Sequence, residues 1–359
     1  MRVVQLIPTI TYGDAVGNDA IALKNALKSL GYSTNIYAES VVKPINGRTA
    51  RKIRWMGKLH KDDIAILHLS TGAKINERFA KLSCRKIIIY HNVTPPHYFA
   101  KSDPLIKQIN EWALEGVKYL ADKADYCLAD SEFNKEDLRR MGYTCPIDVL
   151  PILIPMEDYD RKPSQKVIDK YKDGRTNIIF TGRIVPNKKQ EDVIQAFYYY
   201  KRYCDPDARL FIVGSYKKEN HYYKKLKKYV DMLHLRDVYF TGHIHFDEIL
   251  AYYSIADLFL CMSEHEGFCV PLVEAMKFRV PVVAYNSTAI PATLGGSGFL
   301  LPDQDPLEAA MVMERIIRDK TLRDAILESQ DARLQDFAYD RIREQFAGYL
   351  RGFIEKETK

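Results

Sequence analysis

Two glutamates with seven residues between them, Glu266 and Glu274, flank a glycine turn and a proline in the stretch Ser263-Glu-His-Glu-Gly-Phe-Cys-Val-Pro-Leu-Val-Glu-Ala-Met276. The apolar run from Asp257 to Met262 before them reads as a buried strand, and Pro271 stands where a helix can begin. The stretch therefore predicts a strand, a loop and a helix N-terminus. Backbone N–H groups of Gly267, Phe268, Cys269 and Val270, backed by the positive end of the helix dipole, would cradle an anionic group. Glu274, in the first turn of that helix, offers two acceptor oxygens to a vicinal diol. The same two glutamates also read as solvated loop and helix residues, the usual fate of a Glu-Gly pair.

A second constellation lies upstream in Asn177-Ile-Ile-Phe-Thr-Gly-Arg-Ile-Val-Pro-Asn-Lys188. Gly182, Arg183 and Lys188 leave the C-terminal end of a predicted strand, the edge at which open α/β sheets bind ligands. Two fixed cations there suit an anion and would stabilise charge growing on a leaving group; taken alone, a Gly-Arg after a strand is also a common surface turn. Near the start of the chain, Tyr12-Gly-Asp-Ala-Val-Gly17 follows a first strand and opens a helix, and Gly13 and Gly17 would let backbone approach a phosphate or an acceptor. That spacing is not G-x-G-x-x-G, so a dinucleotide site is not supported. Asp14 reads either as an acceptor-side residue or as a turn former. His91 ends the strand Arg85 to Tyr90, where a histidine is commonly a hydrogen-bonded structural residue, and Asn92 is a candidate partner.

The Glu266/Glu274 pair resembles the E-x7-E motif of retaining GT-B glycosyltransferases of family 4, the glycosyl transferases group 1, and Pro271, Glu274-Ala-Met276 and Pro281-Val-Val283 fit the same pattern. The segment ending in Lys188 resembles that family's strand-Gly-Arg-x3-4-Lys signature, and the order and separation of the two motifs match as well. The resemblance implies a GT-B fold, α/β with two Rossmann-like domains whose parallel sheets face a central cleft. It implies that Arg183 and Lys188 hold the diphosphate of a nucleoside diphosphate sugar, with Gly182, Gly267, Phe268, Cys269 and Val270 around the donor and Gly13 and Gly17 approaching it. Glu266 would then contact the transferred sugar, Glu274 the ribose diol, and His91 would orient the donor sugar. The expected activity is metal-independent, retaining transfer of a hexose from a UDP- or GDP-linked donor to a glycan or lipid-linked saccharide. The chain departs from the pattern at Lys189 and Arg279, where many relatives have glycine, and at Ala292, where glutamate is common.

The elements that must position these residues are legible as short apolar strands alternating with amphipathic helices. Arg2 to Ile7, Ser33 to Ala38, Asp63 to Leu69, Arg85 to His91, Asp125 to Ala129 and Ile147 to Leu150 form a first set; Asn177 to Thr181, Arg209 to Val213, Val238 to Thr241, Asp257 to Met262 and Val280 to Ala284 form a second. A helix over Asn18 to Leu30 ends at Gly31. Such alternation predicts parallel sheets with crossover helices. The pattern breaks among the prolines at 151, 155 and 163, which divides the chain into an acceptor-side domain, residues 1–160, and a nucleotide-sugar domain, residues 161–338. The helix over 339–359 is expected to return to the first.

With 359 residues, 47% hydrophobic and 28% charged, two cores are expected in an ordinary globular chain. The first residues read as a strand rather than a signal peptide, and no apolar run approaches the ~18 residues of a membrane span. Six cysteines without a C-x-x-C pair suit free thiols in a reducing cytosol. No cluster has zinc spacing, and the literal D-x-D pairs Asp205/Asp207 and Asp303/Asp305 sit in loops, so no metal and no other cofactor is expected. The net charge of +6 is mild and no nucleic-acid partner is expected. Basic residues do cluster, in Lys217 to Lys228 and over residues 48–61, where Arg48, Arg51, Lys52, Arg54, Lys58 and Lys61 are interleaved with Ile53, Trp55, Met56 and Leu59. The latter segment suits an anionic membrane surface as well as solvent, on an otherwise cytoplasmic protein placed peripherally at the inner face of the membrane. A GT-B nucleotide-sugar epimerase, or a non-catalytic polyanion- or membrane-binding module, is the alternative reading.

Overall fold

Apolar runs joined by amphipathic helices bury both faces of their strands only in parallel sheets covered on either side. The computed structural model, described over residues 1–356, builds two such sheets, one in each of two compact units. One unit comprises Met1–Pro96, Leu105–Met156 and Asp336–Lys359, the other His97–Pro104 and Glu157–Gln335. Residues 97–104, read from sequence as part of the first domain, thus cluster with the second unit. There Tyr98 hydrogen-bonds Glu264, and its ring centroid lies 6.3 Å from that of His265.

The first unit holds strands β1 (Arg2–Ile10), β2 (Ser33–Val41), β3 (Ala50–Lys52), β4 (Ile64–Leu69), β5 (Arg85–Tyr90), β6 (Tyr126–Ala129) and β7 (Ile147–Val149). They run parallel in the order β3-β2-β1-β4-β5-β6-β7. Strand β4 is buried at every position, as a central strand covered on both faces must be. Helix Ala15–Ser29 follows β1. Its start is fixed by Asp14, whose carboxylate accepts the Gly17 N–H at 3.2 Å, and it stops before Gly31, which takes φ 84° in the left-handed region. Asp14 is therefore the helix cap. Helix Tyr339–Glu355 also belongs to this unit: Ile342, Phe346, Leu350 and Phe353 fall on one helical face and pack with Val3, Leu23, Ile64, Ile87 and Leu128.

The second unit holds β8 (Asn177–Thr181), β9 (Arg209–Val213), β10 (Val238–Gly242), β11 (Leu258–Cys261), β12 (Val282–Tyr285) and β13 (Phe299–Leu301), parallel in the order β10-β9-β8-β11-β12-β13. Its core joins Ile178, Phe180, Leu210, Ile212, Leu258 and Leu260 to Val193, Phe197 and Met313 from the covering helices. Strand order reverses between β1 and β4 in the first sheet and between β8 and β11 in the second, and loops at the C-terminal ends of such strand pairs form ligand crevices.

The short strands β3 and β13 have no counterpart in the sequence reading. β3 is a three-residue edge whose Arg51 and Lys52 are exposed and whose Ala50 is buried, and the segment leading into it is held by the buried Lys24 ammonium, which donates to the carbonyls of Arg48, at 2.7 Å, and Thr49, at 2.6 Å. The basic segment is correspondingly more structured than its composition suggests. A 3-10 turn at Ile53–Trp55 folds it back, so that Met56 and Leu59 enter the core with Ile53 packed against it. A membrane-facing segment would need its interleaved apolar residues outward, but Ile53 and Met56 are turned inward and, among Ile53, Trp55, Met56 and Leu59, Trp55 alone stands out, 67% exposed. Among the described residues no helix is long and apolar enough to cross a membrane.

Candidate functional site

The β8/β11 crevice gathers the charged residues singled out in the second half of the chain. The loop after β8 carries Gly182, Arg183 and Lys188, and the loop after β11 carries Glu266 to Cys269. The two loops are clasped together: the Glu264 N–H donates to the Asn187 carbonyl at 2.9 Å, and the Asn187 side chain donates to the His265 carbonyl at 2.9 Å. Lys189 adds an ion pair with Glu264 at 3.1 Å. Inside this clasp, Lys188 Nζ meets both oxygens of Glu266, at 2.5 and 2.7 Å. Burial disfavours the Lys188 ammonium, but Glu266 outweighs it and holds the group above its usual range. Arg183 is exposed, with no carboxylate partner among the described residues.

Several backbone positions here are left-handed without being glycine: Lys189 at φ 50°, Cys269 at 73°, Arg279 at 53° and Thr288 at 45°. Lys189 and Arg279 are the two places where the sequence departs from an expected glycine. The departures are thus explained as positions whose geometry suits glycine and costs a side-chain-bearing residue about 1–2 kcal/mol. Thr288 is β-branched, which makes its conformation rarer still. Its hydroxyl accepts the Glu266 N–H at 2.9 Å, so local strain is held where it positions the carboxylate.

Helix Val270–Lys277 begins at Cys269 without a side-chain cap hydrogen bond, which leaves its N-terminus suited to an anion. Phe268 and Cys269 bury their side chains, and the Phe268 carbonyl accepts from Thr293 at 2.5 Å, so their possible contribution to a ligand is main-chain. In the first helical turns Glu274 accepts a hydrogen bond on each oxygen, from Tyr159 and from Tyr253, both at 2.7 Å. Burial pushes its carboxyl up, against the two hydroxyl donors. Each oxygen retains a second lone pair. Behind the loop, Cys261, Glu266 and Cys269 place their ligand atoms within 4.8 Å of one another, a grouping that no sequence spacing announced.

In the first unit His91 lies at the end of β5, but its ring is only 1% exposed and both ring nitrogens are engaged. The Gln5 amide N–H donates to the Ala20 carbonyl, so its oxygen faces His68 and accepts from Nε2 at 2.7 Å. His68 Nδ1 must then accept from His91 Nε2, at 2.9 Å, while His91 Nδ1 donates to Asp130 at 2.8 Å. His91 Nε2 thus carries a proton, and a second proton lies between His91 Nδ1 and Asp130, whose own carboxyl burial pushes up. Burial opposes a charge on the His91 ring, but Asp130, Asp19 and Asp14 together raise its pKa, whereas burial and His91 press His68 well below its usual value. Asp19, which accepts the Leu153 N–H at 2.8 Å, is pushed up to about 7 by burial. The expectation that the His91 ring orients a donor sugar is corrected: its nitrogens serve a buried network, and the surface His91 exposes is main chain. Asn92, at φ 72°, donates to Asn134. Gly13 has φ 79° with open space beside it, whereas a Cβ on Gly17 would lie 2.7 Å from the Thr11 carbonyl, so Gly17 is required by the protein's own packing.

Residues gathered from Tyr159, Asn187, Tyr253, Thr288, His68 and Asp130 escaped the sequence reading as site components because each acts through a partner distant in the chain. Residues 161–332 match the family described as glycosyl transferases group 1. Over 165 residues the chain is 27% identical to the serotype-specific mannosyltransferase WbdA of Escherichia coli, covering 45% of this chain and only 20% of that protein. It is 23% identical to the O-antigen chain mannosyltransferase B of Escherichia coli over 270 residues, 71% of this chain and 67% of that protein. The fold matches that of Anabaena Alr3699/HepE, solved in complex with UDP-glucose, with a TM-score of 0.77, 18% identity and coverage of 98% of this chain and 100% of the other. Residues 161–332, most of the second unit, are thus similar to the glycosyl transferases group 1 family, in a chain whose two parallel sheets give the GT-B fold.

Proposed function

We propose that the chain is a retaining, metal-independent glycosyltransferase that moves a hexose from a UDP- or GDP-linked sugar to a hydroxyl of a glycan or lipid-linked saccharide in polysaccharide or glycoconjugate synthesis. The observation that carries this reading is the convergence of Arg183, Lys188 and Glu266 on the switch-point loops of the second sheet, beside an uncapped helix start. Arg183 and Lys188 bind the diphosphate and stabilise its charge as the glycosidic bond opens, the task a metal ion performs elsewhere. Glu266 meets hydroxyls of the transferred sugar and Glu274 takes the ribose diol on its remaining lone pairs. The departing phosphate oxygen accepts the proton of the acceptor hydroxyl, so no carboxylate forms a covalent bond. The names of the relatives point to mannose, and the solved neighbour holds UDP-glucose, so both donor bases stay in the reading.

The first unit takes the acceptor, with the loop from Gly13 to Gly17 and the main chain of His91 lining that side. The exposed Arg48, Arg51, Lys52, Arg54, Lys58 and Lys61 around Trp55 bring this cytoplasmic enzyme to an anionic membrane face carrying a lipid-linked acceptor. A thermal-shift screen of nucleoside diphosphates and their sugars selects the donor. Turnover is then followed in EDTA, and the product anomer is read by NMR. The expected outcome is stabilisation by one diphosphate series, full turnover in EDTA and a retained anomeric configuration. Loss of activity in EDTA with rescue by Mn2+ overturns metal independence, and an inverted product overturns retention.

A further inference from the structure

The cluster of Cys261, Glu266 and Cys269 has a composition that glycosyl transfer as proposed above does not use. Cys261 ends β11, Cys269 caps the following helix, and Glu266 lies on the loop between them. All three are buried, with 1%, 7% and 6% of their surface exposed, and their ligand atoms lie within 4.8 Å of one another. Two soft sulfurs and a carboxylate are a donor set suited to a thiophilic divalent cation such as Zn2+. Zinc–sulfur bonds of about 2.3 Å at a tetrahedral angle set two sulfurs about 3.8 Å apart, so a small contraction suffices. Three protein ligands leave a fourth position for water.

We infer that Cys261, Glu266 and Cys269 form an inhibitory binding site for a thiophilic divalent cation, which closes the donor site by taking Glu266 as a ligand. The charge balance supports this. At present Glu266 and Lys188 form a neutral pair at 2.5 Å. Entry of one dication expels the two thiol protons, leaving the metal with two thiolates and one carboxylate at a net charge of −1, which the Lys188 ammonium neutralises. The exchange of one M2+ for two H+ is therefore electroneutral in a site that excludes most water. A bound cation holds Glu266 away from sugar hydroxyls. That consequence rests on the proposed donor site, whereas metal binding itself does not.

The test uses the full chain, stripped with chelator and titrated with Co2+ and then Zn2+. Thiolate-to-cobalt charge-transfer absorption is expected, bleached by one equivalent of Zn2+, with two protons released per metal. Because loss of even an outer partner of a ligand weakens metal binding about 10–100-fold, Cys261→Ala is expected to weaken Zn2+ by at least that much. Cys127→Ser serves as the control, because Cys127 and Cys145 form a separate thiol pair 3.6 Å apart in the first unit. Absence of the cobalt band, or a band kept in full by Cys261→Ala and lost in Cys127→Ser, overturns the site. In turnover assays Zn2+ is expected to inhibit the wild type and to spare Cys261→Ala at the same concentration. Equal inhibition of both, or none of either despite Cys261-dependent cobalt binding, overturns the closure. Should no sugar nucleotide turn over, the cobalt titration still decides the metal site and the failure belongs to the transferase reading.

Discussion

Lys188 Nζ lies 2.5 and 2.7 Å from the two oxygens of Glu266, so a cation suited to a diphosphate and a carboxylate suited to a sugar hold each other before any donor arrives. Their side chains are 16% and 8% exposed. At such burial, removing one partner leaves an uncompensated charge, at a cost of about 3–5 kcal/mol. Lys188→Met and Glu266→Gln are each expected to lower the midpoint of urea unfolding, Lys188→Met more because glutamine still offers the stranded ammonium an amide oxygen, whereas methionine offers the stranded carboxylate no donor. The double variant is expected to lose less than the sum of the two. Additive losses would show that the pair is not coupled.

Arg183 behaves oppositely, because it is exposed and pairs with no carboxylate among the described residues. Arg183→Ala is expected to leave the melting temperature unchanged and to lower kcat by about 100-fold or more, the typical effect of removing a donor aimed at developing charge. A kcat within a few-fold of wild type removes Arg183 from the transition state.

Glu274 is held by Tyr159 and Tyr253, each at 2.7 Å, and the ribose it is proposed to bind is the same in ground and transition states. Glu274→Ala is therefore expected to raise the donor KM with a smaller change in kcat. Calorimetric titration with the nucleoside diphosphate checks this directly, and unchanged affinity sinks the assignment.

The buried network of the first unit makes stability depend on pH. Asp19, pushed up to about 7, and His91, held above its usual range, both bind protons more tightly folded than unfolded. Their stabilising contribution is complete at low pH and is lost as pH rises through their folded values. His68, pressed well below its usual value, acts in the opposite sense only below about 6.5. The melting temperature is expected to fall as pH is raised from about 6.5 through 7 and beyond, with a shallower fall in His91→Gln. A flat profile across that window contradicts the raised proton affinity of His91.

The basic segment of the first unit is expected to sediment with anionic liposomes and not with neutral ones. Each cation near an anionic surface contributes about 1 kcal/mol, so replacing Arg51, Lys52 and Arg54 by Glu should abolish binding while turnover of a soluble acceptor fragment survives. Trp55→Ala should weaken binding less, since Trp55 is the one outward apolar anchor there. Equal binding to both liposome types, or to neither, leaves the segment an ordinary solvated face.

Strands buried on both faces announce themselves as apolar runs, and so β1, β4, β8 and β11, with the loops that follow them, were legible in the sequence. β3 was not, because it is an edge whose preceding segment is held by Lys24, and β13 is only three residues long. The charged loops were legible because glycine, proline and carboxylate spacing is local. The state of the His91 ring was not, because Gln5, Asp19, His68 and Asp130 come from separate elements that only the sheet brings together. The unusual Lys189 and Arg279 stood out as residue types, whereas the left-handed backbone that explains them is visible only in the fold.

Helix Tyr339–Glu355 completes a core begun by Val3, with the whole run Glu157–Gln335 lying between the pieces of the first unit. During synthesis at about 5–20 residues per second, the second unit can therefore finish folding while the first still waits for its last helix. For that interval Leu23, Ile64, Ile87 and Leu128 lack the cover of Phe346, Leu350 and Phe353. The half of the protein that leaves the ribosome first is the half that matures last, and a nascent chain halted before residue 339 offers chaperones a bare apolar face on an otherwise formed sheet.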